Sequence, residues 1–130
     1  MTQNTLATAT TISSDVEIMK DAAVDAIEDI KGFDITVMDV RALTSMTNYM
    51  IVASANSSRQ AKAIADNVRE KLKEKGFSIR GTEGEREGEW VLVDMDDIVV
   101  HIMVPATRAY YNLEQLWGAA ETRRSSIQAE

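Results

Sequence analysis

Apolar positions along this chain fall into two spacings, and the switches between them mark its elements. Val16, Met19, Ala23, Ile27 and Ile30 recur at steps of three or four, which aligns them on one face of a helix. Ser14 offers an N-cap, and Glu17 stands where a capping box needs an acidic partner. Gly32 supplies a C′ stop. The pattern predicts a first helix over Asp15–Lys31. Asp34–Val40 is rich in β-branched residues and predicts a strand. Ala42–Asn48 is polar and turn-prone, and Tyr49–Ala55 is apolar on both faces, as expected of a central, buried strand. Ser57 and Gln60 form a second capping box. Behind it Ala61, Ile64, Ala65, Val68 and Leu72 make the clearest amphipathic helix, ending at Gly76.

The second half reads as strands and one last helix. Phe77–Gly81 predicts a short third strand, and Thr82–Glu89 (TEGEREGE) a charged, glycine-punctuated connection. Trp90–Val93 and Ile98–Val104 are short apolar runs joined by the acidic turn Asp94–Asp97, the pattern of an antiparallel hairpin. Pro105 ends the last strand. Thr107 is placed to cap a third helix with Tyr110, Leu113, Leu116 and Trp117 on one side, Trp117 in the core. The order αββαβββα predicts a single α/β domain, a mixed sheet of about five strands packed by about three helices. That domain is expected over residues 14–120, with a disordered tail over 1–13 and a flexible one over 121–130.

Composition narrows the function classes. A chain of 130 residues, 45% hydrophobic and 27% charged, is ordinary for one globular domain. Its net charge of -7 repels long polyanions, so direct sequence-specific nucleic-acid binding is not expected. A basic protein partner is compatible with that charge, and so is plain solubility. The absence of cysteine excludes disulfides and thiolate chemistry. No apolar run approaches the ~20 residues that cross a bilayer. The first thirteen residues hold no Lys or Arg, so a cytoplasmic chain without membrane association is expected.

Few residues could carry chemistry. His101 is the only histidine, and strand alternation puts it on one face with Val99 and Met103. Its surroundings are apolar, which favours a hydrogen-bonded structural group, and nothing local positions a nucleophile. Asp94 and Asp96 have the D-x-D spacing that could hold Mg²⁺. Carboxylates at a hairpin turn are more ordinarily solvated or in contact with a partner, and no cluster of Lys or Arg stands ready for a triphosphate. Ser57-Ser58-Arg59 at a helix start could hold an anion. Without a P-loop lysine or G-x-G-x-x-G, capping is the more economical reading. Trp90, at a strand start, suits either a protein-binding anchor or packing under the third helix.

Three stretches together resemble one family, the ribosomal silencing factor (Iojap-like) proteins. They are MDVRALTSMTNYMIVASANSSRQAKAIAD, EGEREGEWVLVDMDDIVVHIM and RAYYNLEQLW, in order and suitably spaced. The last carries the pattern R-x-x-Y-x-L-E-x-L-W at Arg108, Tyr111, Leu113, Glu114, Leu116 and Trp117. The resemblance implies a nucleotidyltransferase-like fold without its catalytic apparatus, no cofactor and a non-enzymatic role. It implies docking on the large ribosomal subunit through that subunit's L-fourteen protein. Joining with the small subunit is thereby blocked, and translation is repressed when nutrients are short. The contact neighbourhood expected from the resemblance is Trp90, Asp94, Met95, Asp97, His101 and Met103. Trp90 and the methionines would anchor it, and the carboxylates would steer a basic partner. Arg108, Tyr111 and Glu114 are expected to fix the third helix against the sheet. Two positions depart from the family pattern: Asn48 stands where Asp is common, and Asp96 where Gly is common. The second bears on turn conformation, because glycine tolerates φ > 0 more readily than aspartate does. Two other classes stay open, a Mg-dependent nucleotidyltransferase using Asp94 and Asp96 and a homodimeric scaffold burying the Trp90 patch.

Overall fold

Short runs of Val, Ile and Met give five strands in the computed structural model, which describes residues 14–117. They are β1 (Phe33–Asp39), β2 (Tyr49–Ser54), β3 (Gly81–Glu83), β4 (Trp90–Asp94) and β5 (Ile98–Met103). Their order in the single sheet is β1-β2-β5-β4-β3. β2 and β5 run parallel, and the other neighbouring pairs are antiparallel. The sheet is therefore mixed, and β2 lies inside it with Met50–Ser54 buried, as its two-sided apolar pattern requires. The expected tails, 1–13 and 121–130, the expected domain end at 118–120 and the side chain of Trp117 fall outside the described residues.

Two long helices cover one face. α1 (Ser14–Asp29) buries Val16, Met19, Ala22, Ala23, Ala26 and Ile27, and α2 (Ser58–Glu74) buries Ala61, Ile64, Ala65, Val68 and Leu72. Both stripes meet Ile51, Ala53, Val91, Val93, Ile98, Val100 and Ile102 of the sheet. Each fully buried Ile or Leu there contributes about 2 kcal/mol of transfer free energy. The second capping box forms: Ser57 Oγ accepts from the Gln60 amide at 3.1 Å, and Gln60 Oε1 accepts from the Asn56 amide. Ser57 is thus spent on capping, in line with the economical reading of Ser57-Ser58-Arg59. The first helix differs in detail. It already includes Ser14, and Glu17 accepts from the Tyr49 hydroxyl at 2.6 Å while pairing with Lys20. The left-handed residue after α1 is Lys31 (φ 68), not Gly32, where an added Cβ would collide with Ile27.

The opposite face carries a smaller cluster of Met38, Val40, Met50, Val52 and Met103, with Trp90 and Leu113 packed against it. The chain after β5 lies on this side, and here the expectations need correction. The third helix begins at Pro105, with Val104 as a cap that makes no side-chain bond, rather than at Thr107. Proline at N1 costs no hydrogen bond and presets φ. That helix, α3 (Pro105–Tyr111), stops where Asn112 turns left-handed, and α4 (Leu113–Trp117) follows. The break separates Tyr110, Leu113 and Leu116, so they do not form one packed stripe: Leu113 packs, whereas Tyr110 and Leu116 are exposed. The third strand is also displaced. Residues 77–80 are not strand; β3 keeps Gly81 of the expected strand and adds Thr82 and Glu83 of TEGEREGE, pairing them with Asp94, Val93 and Leu92.

Candidate partner interface

Trp90 is the hinge between the packed sheet face and the surface. It starts β4 opposite Met103 of β5, and its indole N–H donates to His101 Nδ1 at 2.9 Å. The imidazole therefore accepts at Nδ1 and carries its proton on Nε2, which is buried without a hydrogen-bond partner. Burial pushes the His101 pKa down to about 4, so the ring is neutral at neutral pH. This agrees with the reading of His101 as a hydrogen-bonded structural group.

Beyond Trp90 the aromatic surface continues onto α3. The Tyr111 ring lies 4.7 Å from the Trp90 ring, centroid to centroid, and Tyr110 meets Tyr111 edge-on at 4.9 Å. Tyr110 is 81% exposed and Tyr111 53%. Arg108, on the same short helix, points away from them. Its guanidinium forks onto Glu114 at 3.1 and 2.8 Å, donates to Ser54 Oγ at 2.8 Å and Thr36 Oγ1 at 3.1 Å, and reaches the Asp34 carbonyl at 2.6 Å. Arg108 and Glu114 thus fix the C-terminal helices against β1 and β2, and Tyr111 packs on Trp90 of β4.

The acidic turn sits at the other end of the hairpin. Asp94 Oδ1 accepts from the Asp96 amide at 2.9 Å, and Arg80 donates to the Asp96 carboxylate at 2.7 Å. Both carboxylates of the D-x-D pair are thus engaged within the turn and its neighbour. The Asp97 carbonyl accepts from the Asn48 and Tyr49 amides, tying the turn to the β1–β2 loop. Asp96 has φ 72, so the turn keeps the left-handed conformation that suits glycine. Asp96→Gly is expected to raise stability by ~0.5 kcal/mol, because the relieved backbone outweighs one exposed ion pair. A lower urea midpoint for the variant would show that the Arg80 pair matters more.

The six residues of the expected neighbourhood divide by burial. Trp90 and Asp94 are half-buried and Asp97 is exposed. Met95, His101 and Met103 are 2%, 5% and 0% exposed, so in this conformation they support the surface and do not form it. The alternation that put His101 and Met103 on one face was right, but that face is covered by Trp90 and the C-terminal helices. Among the described residues the exposed large apolar side chains lie elsewhere: Tyr110, Tyr111 and Leu116 after β5, Leu43 and Met46 in the β1–β2 loop, and Ile18 on α1. Leu43 and Met46 carry no apolar signal in the sequence, because Ala42–Asn48 reads as a polar turn. The tyrosines are masked by a spacing that suits one unbroken helix; Asn112, a frequent left-handed cap, is the signal that marks the break.

Comparison with known proteins places these features in a family context. A family model described as "Ribosomal silencing factor during starvation" matches residues 13–130. A ribosomal silencing factor of Chromobacterium violaceum is 52% identical over 104 residues, covering 80% of this chain and 85% of its own length. A chloroplastic Iojap protein of Zea mays is 40% identical over 95 residues, spanning 73% of this chain and 41% of that one. A crystal structure of a Chromobacterium violaceum protein superposes with a TM-score of 0.77 at 53% identity, covering 78% of this chain and 85% of its own.

Proposed function

Because the chain belongs to the ribosomal silencing factor family, we propose that it silences by occupancy. It docks on the large ribosomal subunit, through that subunit's L-fourteen protein, and fills space that the small subunit needs. Translation falls as a result, in the cytoplasm and when nutrients are limiting, without any catalytic step. The observation that supports this reading best is the continuous aromatic surface of Trp90, Tyr111 and Tyr110 on a chain of net charge -7. Large rings supply contact area at low entropic cost, and the surrounding acidity draws a basic ribosomal protein. Nucleotidyl transfer at Asp94 and Asp96 has weaker support, since their carboxylates are engaged by the Asp96 amide and Arg80.

Trp90 is the first residue to test. Trp90→Ala removes the ring under Tyr111 and the donor to His101, and is expected to weaken docking by about 2 kcal/mol. Co-sedimentation with purified large subunits at graded concentrations measures it. Unchanged affinity in a variant that retains its circular dichroism spectrum takes Trp90 out of the interface.

A further inference from the structure

We propose that the aromatic surface of Tyr110, Tyr111 and Trp90 receives a cationic side chain, an arginine or lysine of the docking partner. The inference rests on the docking reading above and names the chemistry of its anchor. Three observations carry it. First, the rings form one contiguous patch: Tyr110 meets Tyr111 edge-on at 86°, and Tyr111 is tilted 49° to Trp90, with centroids 4.9 and 4.7 Å apart. Tyr110, 81% exposed, and Tyr111, 53% exposed, leave ring surface open to a cation, which a ring face attracts through its negative quadrupole. Second, among the described residues the helices after β5 supply no cation to these rings. Arg108 is the only Lys or Arg between Pro105 and Trp117, and its guanidinium is held by Glu114, Ser54, Thr36 and the Asp34 carbonyl. Third, the charge is complementary. Asp and Glu outnumber Lys and Arg by 21 to 14, and exposed Glu89 stands beside the surface, its carbonyl accepting from the Val104 amide just before α3.

An exposed tyrosine alone would mean little, since single surface aromatics are common. Here two exposed tyrosines and a half-buried tryptophan are contiguous, and the half-buried pair of Arg108 and Glu114 holds their helix in place. A cation seated there leaves water for a ring face and keeps its charge balanced by nearby carboxylates.

The test uses the full chain and two probes. In the first, a tetra-arginine peptide is titrated while the ring protons of Tyr110 and Tyr111 are followed by NMR, with a tetra-citrulline peptide as the neutral control. Saturable shifts at these rings with arginine and not with citrulline are expected. Tyr111→Phe should bind as the parent does, and a trifluorinated form of that variant, its quadrupole withdrawn, roughly tenfold more weakly. Equal shifts with both peptides, or indifference to fluorination, would overturn the proposal. The second probe is the large subunit itself, with the same fluorinated variant. If docking occurs but ignores fluorination, the anchor is merely apolar and the docking reading survives. If the parent does not bind the subunit, that reading fails, and the peptide titration still decides whether the rings take a cation.

Discussion

Arg108→Ala is expected to destabilise the protein by about 3 kcal/mol, the low end for breaking a buried ion pair, since this one is half-buried. The side chains of Arg108 and Glu114 are 12% and 22% exposed, so water replaces little of what is lost. Removing the guanidinium leaves the Glu114 carboxylate without its forked partner and takes a donor from Thr36, Ser54 and the Asp34 carbonyl. The damage should begin at the C-terminal helices, because α3 buries no residue of its own and α4 rests on the sheet through Leu113. Arg108→Lys should recover only part of the loss, since an ammonium cannot reproduce the planar fork. Urea unfolding with an unchanged slope gives the number, and hydrogen exchange gives the place. A loss below ~1 kcal/mol would assign the network the weight of an exposed pair.

Acid should remove a comparable amount of stability through His101. Its folded pKa lies at about 4 against an ordinary 6.5, because burial disfavours the charged ring. The folded state thus binds the proton less readily than the unfolded one. Stability from this group is complete above pH 6.5 and is lost as pH falls through the folded value. The full loss is about 3 kcal/mol. Protonation also removes the acceptor at Nδ1 on which the Trp90 indole rests, so Trp90 fluorescence should change over the same range. Carboxylates titrate nearby. The Tyr49 hydroxyl and Lys20 hold Glu17 below its usual range, and Arg41 does the same for Asp39. The comparison is therefore between the parent and His101→Gln, unfolded in urea at neutral pH and at pH 4. The parent should lose more by that margin. Equal losses in both chains would contradict the assignment.

Much of the fold was legible because burial on one sheet face imposes simple periods. α1, α2 and the Trp90 hairpin each announce themselves through spacing, and Ser57 with Gln60 caps α2 as the sequence implies. β3 was not legible, because its three residues are specified by pairing to β4 and not by an apolar pattern of their own. The break at Asn112 was missed for a related reason. RAYYNLEQLW satisfies a helical spacing, but no core lies under α3 to enforce it. The site was half legible. Alternation grouped His101 with Met103, yet only the packing of Trp90 and Leu113 over that face shows that both are internal. The tyrosines are exposed because α3 is held by Arg108 and not by an apolar stripe.

Steric silencing is tested most directly by sedimenting large and small ribosomal subunits through sucrose at a magnesium concentration that joins them, with and without this protein. The account predicts separate subunits, with the protein travelling on the large one. Joined ribosomes, with the protein left at the top of the gradient, would contradict it.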